Sequence, residues 1–152
     1  MKHLELFAGI GGFRRAMDLL TKDNVMEFRC VGYSEIDIKA ELTYRANYNI
    51  DENEFVLGDI VAFTGNKKNI KSLPKFDLLT GGFPCQTFSM MGSQAGFEED
   101  RGQMFFRIMD ILVIKKPKYV LLENVKNLRN HDKGRTFNSC LLYTSPSPRD
   151  RG

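Results

Sequence analysis

Short apolar runs alternate along this chain with stretches in which apolar residues recur every three or four positions. The short runs predict strands, and the three-and-four spacing predicts helices. The predicted strands, in chain order, are His3–Phe7, Phe28–Ser34, Phe55–Leu57, Phe76–Thr80 and Tyr119–Leu122. The predicted helices are Gly11–Leu20, Ile38–Tyr48 and Arg101–Lys115, and the last of them ends before Pro117.

The order of these segments predicts the fold class. Apolar strands that alternate with helices are typical of a parallel sheet with helices on both faces, so we predict an α/β, Rossmann-like domain. Residues 64–72 are polar and predict a loop with a short helix, and residues 81–100 predict a long loop. From its spacing, the first helix is expected to bury one face made of Phe13, Ala16, Met17 and Leu20.

The composition narrows the class of protein. Apolar residues make up 42% of the 152 residues and charged residues 27%, as in ordinary globular domains. No run of about 18 apolar residues occurs, so we expect no membrane-spanning helix. The charged start MKHLELF is unlike a signal peptide, so we expect a cytoplasmic protein. With three cysteines, two histidines and no CxxC spacing, we expect neither a disulfide framework nor a metal site.

The last residues differ in composition from the rest of the chain. Residues 140–152 read CLLYTSPSPRDRG, and the part from Cys140 to Asp150 resembles a translated sequencing-library adapter. We therefore interpret residues 140–152 as an artefact and residues 1–139 as part of a catalytic domain. The alternative is a natural disordered tail rich in proline and serine.

Glycines follow the first predicted strand, at the edge where ligands of parallel sheets bind. Gly9, Gly11 and Gly12 allow a tight turn and a close approach of the backbone to a ligand. The dinucleotide-binding pattern needs a third glycine at position 14, where this chain has Arg14. The turn is therefore atypical of a nicotinamide-nucleotide oxidoreductase, which is one rival interpretation.

The next two strand ends add acidic residues. Glu35 follows the second strand, where a carboxylate can accept hydrogen bonds from ribose hydroxyls. Asp59 follows the third strand and could bind an adenine amino group, with Ile60 packing on the ring. An aspartate there is equally typical of a helix N-cap. Together with the glycines, these residues indicate a nucleoside site.

The fourth and fifth strand ends carry the candidate catalytic residues. Cys85 lies in the loop GGFPCQ directly after an apolar strand, where an accessible nucleophile is expected. Cys30, by contrast, lies inside a predicted strand, as a structural cysteine does. Glu123 ends the fifth strand, and a carboxylate that leaves an apolar strand needs a partner.

The segments FAGIGGF, YSEID, GDI, GFPCQTFS and ENV occur in this order and resemble the motifs of the DNA cytosine-5 methyltransferases. The resemblance spans residues 3–138. It implies a Rossmann-like fold, S-adenosylmethionine as cofactor and double-stranded DNA as substrate. The expected activity is that of a DNA (cytosine-5-)-methyltransferase, in which Cys85 forms a covalent adduct with a flipped-out cytosine and Glu123 contacts the base.

The resemblance also assigns further site residues. Ile36 stands where the family often has an aromatic residue, so less packing on adenine is expected there. The residues expected to bind the cofactor are Phe7, Gly9, Ile10, Gly11, Gly12, Glu35, Ile36, Asp59, Ile60, Gly82, Pro84 and Met104. The residues expected to bind the substrate are Phe83, Pro84, Gln86, Ser89, Arg101, Asn124 and Val125.

Parts of the family pattern are expected downstream of this chain. These parts are a later arginine motif, the target-recognition region and a final cofactor-closing motif. We therefore expect a domain truncated after its fifth strand, inactive as it stands. The complete protein is expected to be a monomer, with a cognate restriction endonuclease as a functional partner. Two rivals stay open: a tRNA cytosine-5 methyltransferase, and a catalytically dead DNA-binding relative, which the presence of Cys85 and Glu123 disfavours.

Overall fold

A computed structural model describes residues 1–83 and 103–124 of the chain. Strands and helices alternate along it. The strands are β1 (Lys2–Leu6), β2 (Arg29–Tyr33), β3 (Phe55–Val56), β4 (Leu78–Gly82) and β5 (Tyr119–Glu123). The helices are α1 (Gly12–Lys22), α2 (Ile38–Asn47), α3 (Ile60–Thr64), α4 (Lys67–Ser72) and α5 (Gln103–Lys115).

The five strands form one parallel sheet in the order β3-β2-β1-β4-β5. The chain runs outward from β1 to β3 on one side and from β4 to β5 on the other. The direction therefore reverses between β1 and β4, and ligands of such sheets bind at that switch point. The predicted parallel α/β fold is confirmed.

One face of the sheet, the apolar face, is covered by α3, α4 and α5. Side chains alternate along a strand, so Leu4 and Leu6 of β1 point to this face. They are fully buried there, and burial of each such side chain stabilises the fold by about 1.5–3 kcal/mol. The helices contribute the buried residues Ile60, Ile70, Phe105, Ile108 and Ile111 to the same cluster.

The opposite face, the polar face, lies under α1 and α2 and has a different composition. Its strand residues include His3, Glu5 and Thr80, which are at most 1% exposed. Its helix residues include Arg14 of α1 and Tyr44 of α2, which are also buried. Since buried charges are costly unless they are paired, this face depends on specific partners.

The structure corrects one helix face and adds one helix. In α1 the buried residues are Arg14 and Met17, whereas Leu20 is 37% exposed and Ala16 is exposed. The prediction is confirmed for Met17 and wrong for Ala16 and Leu20, because α1 lies on the polar face, where Arg14 turns inward to acidic partners. The segment predicted as a loop with one short helix begins within α3 and contains α4.

No helix within residues 1–83 and 103–124 is long and apolar enough to cross a membrane.

Candidate cofactor and catalytic site

Several of the described site residues follow strand ends at the carboxyl edge of the sheet. The glycine loop, residues 7–12, leaves β1 at the switch point, and Glu35 and Asp59 follow β2 and β3. Phe83 and Asn124 follow β4 and β5. Five strand ends thus place residues that are far apart in the sequence along one edge of the sheet.

The glycine loop has an unusual backbone. Gly9 and Gly11 have φ values of 57° and 92°, which L side chains rarely adopt. Phe7, which is not glycine, also has a positive φ of 53°, a sign of backbone strain. A Cβ atom added at Gly9 or Gly12 would meet no atom within 4 Å, so these positions leave space for a ligand beside the backbone.

Ser34 and Glu35 bind three consecutive amides of this loop. The Phe7 N–H donates to Ser34 Oγ at 3.1 Å, and the Ala8 N–H donates to the Ser34 carbonyl at 2.9 Å. The Gly9 N–H donates to Glu35 Oε2 at 2.6 Å. The role of Ser34 could not be predicted from the sequence, because a single buried hydroxyl has no periodicity. The strained loop is therefore held by the two residues that directly follow the neighbouring strand β2.

The carboxylate of Glu35 is oriented by the chain that follows it. Its Oε1 accepts hydrogen bonds at 2.8 Å from the backbone N–H groups of Ile36 and Asp37. Its Oε2 accepts one bond, from Gly9, among the described residues. A carboxylate oxygen accepts two hydrogen bonds, so Oε2 can also accept one from a ligand hydroxyl. Ile36 beside it is 72% exposed.

At the third strand end, Asp59 and Ile60 have structural contacts. Asp59 Oδ1 accepts a hydrogen bond from the Val61 N–H at 2.8 Å and thereby caps α3. Ile60 is only 4% exposed and packs in the cluster on the apolar face. The N-cap alternative therefore holds for Asp59, while its second oxygen is compatible with a ligand contact.

Glu123 and Gly82 form a matched pair across the last two strands. They are partners in the register of β4 and β5. A Cβ atom on residue 82 would lie 3.0 Å from Glu123 Oε2, closer than ordinary side-chain contacts. A side chain at position 82 would therefore require the Glu123 carboxylate to shift by a small amount.

Phe83, two residues before Cys85, is held by its backbone carbonyl and by its side chain. Asn124 Nδ2 donates to the Phe83 carbonyl at 3.0 Å, which ties the end of β5 to the end of β4. The Phe83 side chain is 6% exposed, and its ring lies 6.0 Å from that of Phe105 in α5. Met104, at the start of α5, packs partly buried against the same cluster. Phe83 and Met104 therefore have packing roles in the described structure.

Six predicted site residues lie outside the described residues, namely Pro84, Cys85, Gln86, Ser89, Arg101 and Val125. The tail 140–152 also lies outside them.

A network of buried charges lies on the polar face, next to the glycine loop. Arg14 donates to both carboxylate oxygens of Glu54, at 2.8 and 2.9 Å, and to the Tyr44 hydroxyl at 3.2 Å. Tyr44 in turn donates to Glu5 Oε2 at 3.1 Å, and the Arg14 backbone N–H donates to Glu5 Oε1 at 3.3 Å. Arg14, which stands where the dinucleotide-binding pattern needs a third glycine, is thus the centre of this network.

Burial shifts the titration of two residues on β1. It raises the pKa of Glu5 to about 7, although the donors Tyr44 and Arg14 oppose the shift. It lowers the pKa of His3 to about 4, and the positive charge of Arg14 acts in the same direction. His3 Nε2 and Thr80 Oγ1 share a hydrogen bond of 2.6 Å. Near neutral pH, His3 is therefore uncharged, and Glu5 is close to its midpoint.

A parallel sheet with a glycine-rich turn after β1 and an acidic residue after β2 is typical of α/β domains that bind nucleosides or nucleotides. Residues 1–144 match the family model described as C-5 cytosine-specific DNA methylase. The chain therefore belongs to that family, as the sequence motifs predicted.

Curated relatives agree with this family. The chain is 45% identical over 138 residues to the orphan methyltransferase M.Rho11sI of Bacillus phage rho11s. It is also 45% identical over 142 residues to the type II methyltransferase M.NlaX of Neisseria lactamica. The aligned parts cover 91% and 93% of this chain, but only 25% of the phage protein and 42% of the Neisseria protein.

Solved structures agree with the fold. A crystal structure of a Spodoptera frugiperda DNMT2 mutant matches with a TM-score of 0.58 and 25% identity, over 93% of this chain and 40% of that one. A putative DNA modification methyltransferase encoded in an E. coli prophage matches with a TM-score of 0.68 and 22% identity, over 95% of this chain and 37% of that one.

Proposed function

We propose that the protein containing this chain transfers a methyl group from S-adenosylmethionine to carbon 5 of cytosine in DNA. The observation that carries the proposal is the meeting of two pairs at one sheet edge: the glycine loop with Glu35, and Gly82 with Glu123. Cys85 follows β4 in the same chain, between Gly82 and Glu123 in the sequence.

The residues at the edge fit this cofactor. The open space at Gly9 and Gly12 suits the methionine portion, and Glu35 Oε2 can accept a ribose hydroxyl. Ile36 offers an exposed apolar surface for adenine. The other proposed cofactor contacts are Phe7, Ile10, Gly11, Asp59, Ile60, Gly82, Pro84 and Met104. When bound, the cofactor supplies an electrophilic methyl group on a sulfonium sulfur.

The chemistry explains why a cysteine is needed. Carbon 5 of cytosine is a poor nucleophile, and covalent attack at carbon 6 activates it. The Cys85 thiolate forms a bond to carbon 6, and the electrons of the 5,6 double bond become available at carbon 5. Carbon 5 takes the methyl group and then loses its proton to a base. The re-formed double bond expels the thiolate, so the enzyme is regenerated.

Glu123 and the neighbouring residues have supporting roles in this proposal. Glu123 contacts nitrogen 3 and the exocyclic amino group of the base, and this contact makes carbon 6 more electrophilic. Because the base is stacked inside the duplex, it must be flipped out to reach this edge. The other proposed substrate contacts are Phe83, Pro84, Gln86, Ser89, Arg101, Asn124 and Val125.

The relatives are longer than this chain, and the difference in length affects what activity the chain can have alone. The chain spans about a quarter to two-fifths of the curated relatives it was compared with. We infer that target recognition belongs to the part of the relatives that this chain does not span, and that the chain alone has no turnover. We also infer that residues 140–152 are not native, which sequencing genomic DNA across this point would test.

The test is product analysis with the complete gene product. The protein is incubated with S-adenosylmethionine and either duplex DNA or tRNA. The nucleic acid is then digested to nucleosides, which are separated and identified by mass spectrometry. The expected product is 5-methyl-2′-deoxycytidine from DNA, formed by the native protein and by Cys30→Ala but not by Cys85→Ala. Methylation of tRNA alone would overturn the DNA assignment, and an active Cys85→Ala variant would overturn the mechanism.

A further inference from the structure

The glycine loop rests on a tyrosine that the proposed chemistry does not use. Tyr48 is the residue directly after α2, and its hydroxyl donates to the Gly11 carbonyl at 2.6 Å. Its ring fills the place where a side chain on residue 11 would begin. A Cβ atom on Gly11 would lie 2.2 Å from Tyr48 Cε2. The glycine and the tyrosine are therefore complementary in shape as well as hydrogen-bonded.

Gly11 is held at each of its polar groups. Its N–H donates to the Ala8 carbonyl at 2.8 Å, which closes a tight turn. Its carbonyl accepts the Arg15 N–H at 2.9 Å as the first bond of α1, in addition to the Tyr48 hydroxyl. Gly9 and Gly12, by contrast, have open space at their Cβ positions. The loop is thus bonded to the protein at Gly11 and open to a ligand on either side of it.

Tyr48 is itself held by the network on the polar face. Its ring centroid lies 4.9 Å from that of Tyr44, and the Arg14 guanidinium carbon lies 5.0 Å from its centroid. A cation above an aromatic ring is attracted by the electron density of its face. The position of Tyr48 is therefore set by Arg14, which Glu54 binds in turn.

We propose that Tyr48 is a positioning residue for the cofactor. Its hydroxyl and ring hold Gly11 in the left-handed conformation that presents the backbone from Gly9 to Gly12 to S-adenosylmethionine. The assignment rests on the proposed function, since it gives Tyr48 a role at the cofactor site. It acts through the glycine loop and makes no contact with the reacting atoms.

The variant Tyr48→Phe isolates the hydroxyl. It keeps the ring that packs against Gly11 and removes only the bond to the carbonyl. Tyr33→Phe is the matched control, because its ring stacks on the same Tyr44 at 4.3 Å while its hydroxyl donates to Glu41, away from the loop. Both variants lose one hydroxyl from the same group of stacked tyrosine rings. A general loss of packing in this group would therefore lower cofactor affinity equally in both.

The measurement is the dissociation constant for S-adenosylhomocysteine, by titration calorimetry on the complete gene product. Tyr48→Phe is expected to weaken binding by about threefold to tenfold, the size of one hydrogen bond, and Tyr33→Phe to leave it unchanged. In steady-state assays, Tyr48→Phe should raise KM for S-adenosylmethionine by the same factor and leave kcat at saturating cofactor unchanged.

The outcomes separate this proposal from the one on which it rests. If the native protein binds the cofactor and Tyr48→Phe binds it as tightly as Tyr33→Phe does, the role of Tyr48 is overturned and the cofactor site stands. A native protein that binds no S-adenosylhomocysteine overturns the proposed function itself.

Discussion

The two faces of the sheet are built on different principles. On the apolar face, Leu4 and Leu6 pack against α3, α4 and α5 through contacts that have no preferred direction. On the polar face, His3 and Glu5 of the same strand are just as buried, but hydrogen bonds and one ion pair hold them and their neighbours. A single strand thus contributes alternately to both kinds of packing.

Of the two faces, the polar face is the one whose contacts lead to the candidate site. Arg14 donates its backbone N–H to Glu5 and lies over the ring of Tyr48, whose hydroxyl binds Gly11. The polar face is therefore connected by directional contacts to the glycine loop. We expect Leu79→Ala on the apolar face to change stability alone, and substitutions on the polar face that break a contact leading to the glycine loop, such as Arg14→Ala, to change both stability and cofactor affinity.

The largest effect is expected from Arg14→Ala. The change leaves Glu54, whose side chain is 5% exposed, without its partner, and loss of one member of a buried ion pair costs about 3–5 kcal/mol. Urea unfolding measures the free energy, and cofactor titration should show weaker binding as well. Arg45→Ala is the control, since its ion pair with Glu41 is largely exposed and worth at most about 1 kcal/mol. Equal losses in the two variants would refute the role given to Arg14.

Leu79→Ala probes the apolar face. Leu79 is fully buried in the central part of the sheet, and truncation of such a side chain costs about 2–5 kcal/mol. Because Leu79 makes no directional contact with the glycine loop, the folded variant should bind S-adenosylhomocysteine as the native protein does. A variant that loses affinity as Tyr48→Phe does would mean that the two faces are not separable.

A smaller effect is expected in the pH dependence of stability, where His3 and Glu5 oppose each other. The pKa of Glu5 is raised to about 7, so its contribution to stability is present below about pH 4.5 and is lost as the pH rises to about 7. The pKa of His3 is lowered to about 4, so its contribution is present above about pH 6.5 and is lost as the pH falls to about 4. Between about pH 4.5 and 6.5 the two nearly cancel.

Glu5→Gln should remove this cancellation. The free energy of unfolding of the variant, relative to the native protein, should rise with pH by up to about 3 kcal/mol between about pH 4.5 and 7. His3→Gln should give the opposite slope relative to the native protein, in urea unfolding at a series of pH values. Parallel curves for all three proteins would contradict the shifted pKa values.

The sequence predicted the sheet better than the polar face. Apolar runs such as those of β1 and β4 are local signals, and the strands found agree with those predicted to within about two residues, as is usual for element boundaries. The burial of Arg14 depends on Glu54, 40 residues away, and that of Glu5 on Tyr44, 39 residues away. No local pattern contains such pairs, so the burial of Arg14 was missed, while Ala16 and Leu20 of α1 were wrongly predicted to be buried.

The candidate site shows the same division. Glycines and a carboxylate at strand ends have a local signature, so the glycine loop and Glu35 could be predicted. The bonds of Ser34 to this loop and the fit of Tyr48 against Gly11 could not, because each joins residues more than twenty positions apart. The match between Gly82 and Glu123 likewise depends on the register of β4 and β5.

Covalent trapping tests the proposed role of Cys85 most directly. The complete gene product is mixed with S-adenosylmethionine and duplex DNA that contains 5-fluorocytosine, whose fluorine cannot leave as the proton does. The native protein and Cys30→Ala should each form an adduct that survives denaturing electrophoresis, because burial raises the pKa of the Cys30 thiol to about 12 and makes it unreactive. Cys85→Ala should form none, and an adduct that persists in Cys85→Ala would contradict the assignment of the nucleophile.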